Sequence, residues 1–106
     1  MWRSVLLTAL VGCGGTKVGC DFRESGANGP EPRCQERSGL SSALFGNFCE
    51  LLEGDNVSGG CPEDGIVAGC DIGAQGDGTR VIDWYYAPKT REDVEAECED
   101  GDVVDP

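Results

Sequence analysis

The clearest hydrophobic pattern in the chain lies in residues 42–53. Leu44, Phe45, Phe48, Leu51 and Leu52 recur at three- and four-residue spacing, which predicts an amphipathic helix with these side chains on its core-facing side. Gly46 weakens that helix and Gly54 ends it. Ile66 to Ile72 is a short apolar run, and Thr79 to Tyr86 is rich in β-branched and aromatic residues. The glycine-rich segment 73–78 between them has turn chemistry, so the three together predict a hairpin. Pro88 stops the second strand. Thr90 is then placed as an N-cap, with Asp93 three residues later in a capping-box arrangement, and a helix follows over about Arg91 to Glu99. Val103-Val104 predicts a last short strand.

These elements fall into two similar stretches. Val18-Gly19-Cys20-Asp21-Phe22 resembles Ala68-Gly69-Cys70-Asp71-Ile72, and Cys49-Glu50 with Gly54-Asp55 resembles Cys98-Glu99 with Gly101-Asp102. In the first stretch, Cys20-Asp21-Phe22 and Arg33-Cys34-Gln35 flank a turn that holds Gly26, Asn28, Gly29 and Pro30. The expected fold class is therefore α+β: a small disulfide-rich domain of two pseudo-repeated β-hairpin–helix halves over residues 20–106.

The cysteines change the picture from a glycine-rich acidic chain to a stapled one. There are seven, at positions 13, 20, 34, 49, 61, 70 and 98, and no histidine. Zinc sites need close C-x₂₋₄-C pairs, usually with histidine, and neither is present. Disulfides in an oxidising compartment are the better reading, and no metal or other cofactor is expected. An odd count leaves one cysteine over. The other six allow fifteen connectivities. The repeat selects Cys20–Cys49 and Cys70–Cys98 as equivalent bonds, with Cys34–Cys61 crossing between the halves.

The first thirteen residues identify the cysteine left over. One cation, Arg3, precedes the apolar run Val5 to Val11, which is too short to span a bilayer but suits an export signal. The run ends Leu10-Val11-Gly12-Cys13, which resembles the lipobox of bacterial lipoproteins. That resemblance implies cleavage before Cys13, removal of residues 1–12 as signal peptide, and lipidation (palmitate or a related acyl chain) of Cys13. Residues 13–19 would then be the lipidated cysteine and a glycine-rich tether. Gly14 rather than aspartate after the cysteine implies the outer membrane.

Charge narrows the partners. Loss of residues 1–12 removes Arg3 from a formal net charge of −12, leaving −13. Phosphate backbones repel such a chain, so nucleic acid is not an expected partner. Without histidine there is no Ser–His or Cys–His pair, and catalysis is not expected. A calcium loop starting at Asp71 fails at Gly73 and Ile82, where oxygen ligands belong. The acidic run from Glu92 to Asp105, with eight carboxylates in fourteen residues, reads as a solvated face. The surface candidate is Trp84-Tyr85-Tyr86, whose rings could stack on a glycan or anchor a protein partner.

Cys61-Pro62, Gly65 to Cys70, and Trp84 to Thr90 with the cysteine-bearing acidic helix resemble small cysteine-rich lipoproteins of myxobacterial type. The resemblance implies export and a disulfide frame, not an activity. The expected role is a lipid-anchored envelope protein with a binding or structural task; the alternative is a small stapled inhibitor of a secreted enzyme.

Overall fold

A computed structural model of the protein describes residues 17–39, 45–76 and 78–106. The signal segment, Cys13, the start of the tether and Leu44 lie outside the described residues. Along the chain come β1 (Lys17–Asp21), β2 (Arg33–Gly39), α1 (Phe45–Leu51), β3 (Asp55–Ser58), β4 (Ile66–Ala74), β5 (Thr79–Tyr86), α2 (Arg91–Glu97) and β6 (Asp102–Val104). The strands form one sheet in the order β3-β1-β2-β5-β4-β6, and every neighbouring pair is antiparallel.

One register row crosses all six strands: Asn56, Cys20, Gln35, Asp83, Cys70 and Val103. Residues opposite each other in a ladder share a face, so this row defines one side of the sheet. Cys20 reaches from it to Cys49 in α1, and Cys70 reaches to Cys98, which caps α2. Both helices therefore lie on that face, α1 toward β1 and β3 and α2 toward β4. The neighbouring row, Cys34, Trp84 and Gly69, points to the other face. There the connection 59–65 crosses from β3 to β4. It is held by the Cys34–Cys61 disulfide, by the Cys61 amide donating to Glu36 Oε1 at 3.0 Å, and by the Tyr86 hydroxyl donating to the Pro62 carbonyl.

The three disulfides are thus Cys20–Cys49, Cys34–Cys61 and Cys70–Cys98, the pairs singled out by the repeat. The first two sit inside apolar clusters, and Cys70–Cys98 fastens the end of α2 to β4. Cys20, Phe22 and Cys49 pack with Val18 and Leu52 under α1. Cys34, Cys61 and Tyr86 pack with Ile66 and Trp84 under the crossover. Gly69 allows the second cluster to close: a Cβ there would lie 2.5 Å from Cε3 of Trp84, so the indole rests on bare backbone.

The α+β expectation of two hairpin–helix halves is corrected. The domain is mostly antiparallel sheet, with two helices of seven residues each among the described residues. Helices that short do not make a layer, and each is fastened to the sheet through one cysteine. β2 and β5 pair over seven register positions and merge the hairpins into one continuous sheet. Arg33-Cys34-Gln35 proves to be the start of a strand reaching Gly39, and Asp55–Ser58, not expected as a strand, forms the β3 edge. Each hairpin is followed by a helix and then a strand that returns to the hairpin's first strand, β3 on β1 and β6 on β4.

Two further expectations are corrected. Lys17, Val18 and Gly19, expected in the tether, belong to β1: all three pair with β2, and Val18 and Gly19 pair with β3 as well. Of the expected core face of α1, Leu52 packs inward, whereas Phe48 and Leu51 do not. Cys49 is fully buried by its disulfide, and Leu52, three positions on, packs beside it. That choice rotates Phe48 and Leu51 outward, to 46% and 77% exposure. A covalent bond to β1, which the apolar spacing does not reveal, sets the helix orientation. The second helix forms as expected: Thr90 Oγ1 accepts from the Asp93 amide, Asp93 Oδ2 accepts from the Thr90 amide, and Val94 is buried.

Candidate functional site

Between the two helices, the centre of the sheet is polar. The alternation Arg33-Cys34-Gln35-Glu36-Arg37 places Arg33, Gln35 and Arg37 on the helix face of β2. Val81, Asp83 and Tyr85 stand opposite them on β5. Asp83 Oδ1 accepts from Gln35 Nε2 at 3.0 Å and from an Arg33 guanidinium nitrogen, NH1, at 3.1 Å. The Arg33 and Asp83 side chains are 23% and 17% exposed, so the pair is only partly in water. Arg33 also donates to Glu31 and lies 4.5 Å from the centroid of the Phe22 ring. Tyr85 is half-buried beside Arg33; burial, then the charge of Asp83, raises its hydroxyl above the usual range. This strip holds donors and acceptors in fixed positions and offers no nucleophile–base pair. It suits recognition of a polar partner more than bond-making.

The expected aromatic surface divides. Tyr86 is 3% exposed and belongs to the core, where burial pushes its hydroxyl up to about 12. The physical reason is the crossover, which covers its ring edge and takes its hydrogen bond at Pro62. Trp84 shares that face, half-buried over Gly69, whereas Tyr85 faces the helix side. The three rings are therefore not brought together as one surface. Lys89 Nζ sits 5.9 Å from the Tyr85 centroid. The polar strip that Tyr85 joins was missed by sequence reasoning, although alternating polar residues along a strand between two half-cystines carried the signal.

At the end of the sheet where β5 finishes, Arg23, Pro30, Glu31, Pro32, Ala87 and Pro88 line a notch of about 240 Å³. Its cation does not protrude. Arg23 lies 4.2 Å over the Tyr86 ring and pairs with Asp21 at 2.9 Å. Burial alone would raise the Asp21 carboxyl, but the side-chain and backbone hydrogen bonds to Arg23 outweigh it and hold Asp21 below the ordinary range. The loop between Cys20 and Cys34 thus holds Arg23 against Tyr86 and Asp21.

The acidic tail forms part of a shallow cavity lined by Asp71, Ile72, Gly73, Arg80, Glu99, Asp100, Gly101 and Asp102. Arg80 pairs with Asp71 there. No group of three metal-ligating side chains with the geometry of an ion site is present among the described residues. Two cations just upstream answer part of the tail's charge: Lys89 pairs with Glu97, and Arg91 with Asp105 and Glu95. Among the described residues, no helix is long and apolar enough to cross a membrane.

Comparison with protein-family models, with curated proteins and with solved structures finds no match to the chain.

Proposed function

We propose that the chain is an exported envelope protein, anchored by lipid at Cys13 and presenting a disulfide-fixed sheet as a binding or structural domain. The observation that supports this most is the fate of the cysteines. Six are consumed in three disulfides. The seventh, Cys13, stands directly after Leu10-Val11-Gly12. Three disulfides are compatible with an exported chain in an oxidising compartment. The likeness of that junction to a lipobox supports the anchor, and Gly14 supports the outer membrane. A protein or glycan partner is the reading for the polar strip, whose Arg33, Gln35 and Asp83 are fixed by one another rather than by solvent.

The test is expression from the native start in a Gram-negative host, with a clickable fatty acid in the medium and intact mass measured on the purified chain. A chain that begins at Cys13, carries acyl mass and loses the label in Cys13→Ser supports the reading. A mature chain without acyl mass, or one that retains residues 1–12, overturns it.

A further inference from the structure

The two halves of the domain carry equivalent disulfides with unequal support. Cys20 and Cys49 are fully buried, and Phe22, Val18 and Leu52 pack around their bond. The end of that helix is also tied down through backbone, since the Ala27 amide donates to the Leu52 carbonyl. Cys34–Cys61 lies in the second cluster with Tyr86, Ile66 and Trp84. Cys70–Cys98 belongs to neither cluster. Cys98 is 9% exposed and Cys61 7%, so exposure hardly separates the pairs; what each bond holds does. Val94 is the one buried residue of α2. The strand that follows, β6, is an outer edge of the sheet and pairs with β4 alone, at Gly69, Cys70 and Asp71.

Loop entropy does not rank the three bonds, because their sequence separations are 27, 28 and 29. The ranking comes from what opening each one undoes. Opening either of the first two takes an apolar cluster apart. Opening Cys70–Cys98 leaves both clusters in place, and β4 stays paired with β5 from Ile66 to Ala74. Only α2 and β6 lose their hold. A helix of seven residues has little stability of its own. The stretch from Glu92 to Asp105 also carries eight carboxylates and no cation, and Glu99, Asp100 and Asp102 share the shallow cavity with Asp71. Repulsion among these charges favours an open arm once the covalent link is gone.

We infer that Cys70–Cys98 is a redox latch: a dithiol opens it before the other two pairs and frees α2 and β6, while the rest of the sheet stays folded. The step is thiol–disulfide exchange. A thiolate of the reductant attacks one sulfur of the pair, the S–S bond breaks, and the other cysteine leaves as a thiolate and takes up a proton. The reductant's second thiol then displaces the first cysteine and closes its own disulfide. Two electrons and two protons pass from the dithiol to Cys70 and Cys98. The opened form bares the backbone edge of β4 at Gly69, Cys70 and Asp71, which β6 occupies in the closed form. An unpaired edge of that kind accepts an added strand, so the latch sets whether the sheet ends at β6 or is open to extension.

The experiment uses the full exported chain, with any free thiol blocked by iodoacetamide beforehand. Limiting dithiothreitol is added at neutral pH, the new thiols are trapped with N-ethylmaleimide, and peptide masses locate them. The expected first product is labelled at Cys70 and Cys98 and keeps its sheet signal in circular dichroism. Excess reductant then opens the other pairs and removes that signal. Cys70→Ser with Cys98→Ser is the matching variant. Its hydrogen exchange should show lost protection over residues 91–104, with the protection of the parent kept in β1, β2 and β5. First labels on any other pair, or loss of all three disulfides together, overturn the latch. So does a doubly substituted chain that is unfolded, or one whose 91–104 amides exchange as slowly as the parent's.

Discussion

Gln35 and Asp83 meet at the seam of the sheet. Gln35 lies opposite Cys20 within the first hairpin, Asp83 lies opposite Cys70 within the second, and the two face each other where β2 meets β5, joined by a 3.0 Å hydrogen bond. The two disulfides that carry the helices therefore flank one polar contact at equal strand distance.

That contact predicts a measurable coupling. Asp83→Leu removes the acceptor of both Gln35 and Arg33 and leaves a partly buried guanidinium short of a partner. A loss of about 1–3 kcal/mol is expected, larger than for Gln35→Leu. A double-mutant cycle between the two should return roughly 0.5–1.5 kcal/mol of coupling in chemical denaturation. Additive losses would show that the seam is held by backbone pairing alone.

The second hairpin, the α2 cap and the three disulfide pairs were legible because local signals agreed there. β-Branched residues, turn glycines, Pro88 and the Thr90–Asp93 box all point one way, and the repeat in cysteine position supplied the long-range pairing. What escaped is set by contacts far apart in sequence. β3 has no hydrophobic alternation of its own and becomes a strand because β1 offers it an edge. The orientation of α1 follows from the Cys20–Cys49 bond, which overrides the apolar spacing of Phe48 and Leu51. The merging of the hairpins depends on β2 and β5 meeting in register, and the polar inner positions of β2 read in isolation as those of a loose connection.

Gly69 should tolerate no side chain. A Cβ would come within 2.5 and 2.6 Å of Trp84 Cε3 and Cζ3, and the indole cannot retreat from the half-cystine cluster behind it. Gly69→Ala is expected to cost about 1–3 kcal/mol. At about 4–8 °C per kcal/mol for a domain of this size, the melting temperature would fall well outside error. Gly19→Ala, whose nearest contacts would be 3.2 Å from Cys61 and Gly60 atoms, should cost less. Equal melting temperatures for Gly69→Ala and the parent would contradict the packing.

Reduction should unfold the domain. The three disulfides have sequence separations of 27, 28 and 29. Loops of that size contribute about 3–4 kcal/mol each in the chain-entropy account, comparable together to the whole stability of a typical domain. Circular dichroism in excess reductant should lose the sheet signal, and a retained near-native spectrum would count against it.

Stability should fall in alkali through Tyr86. Its hydroxyl titrates at about 12 in the fold, raised chiefly by burial, against an ordinary value near 10. Between those values the unfolded chain has lost the proton and the folded one keeps it. The Tyr86 contribution is therefore complete below pH ~10 and is lost as pH rises to ~12, a total of about 2–3 kcal/mol. Tyr86→Phe gives up the hydrogen bond to Pro62 at neutral pH, at a cost of about 1 kcal/mol, but should flatten most of the alkaline decline. The residual slope belongs to Tyr85, whose hydroxyl is also raised. Denaturant midpoints across the pH range, read beside tyrosinate absorbance, check both statements, and an unchanged slope in Tyr86→Phe would contradict the assignment.

The acidic tail should respond to salt and not to calcium. Between Glu92 and Asp105 the carboxylates outnumber the cations that reach them. Lys89 holds Glu97, and Arg91 holds Asp105 and Glu95, while Asp93 is spent on the helix cap. Glu99, Asp100 and Asp102 remain around an open cavity with Asp71, which is itself paired with Arg80. Repulsion among exposed charges is long-ranged and weak, so sodium chloride should relieve it gradually, raising the melting temperature over tens to hundreds of millimolar as the screening length shortens to about 10 Å and below. A calcium site would act differently. It would need several oxygens converging within 2.3–2.6 Å of one point, and would raise the melting temperature at micromolar ion with a defined stoichiometry. The expected result is a smooth rise in sodium chloride and no shift in micromolar calcium at constant ionic strength. A sharp calcium shift abolished by Asp100→Asn with Asp102→Asn would reverse the conclusion and make the cavity beside β6 an ion site.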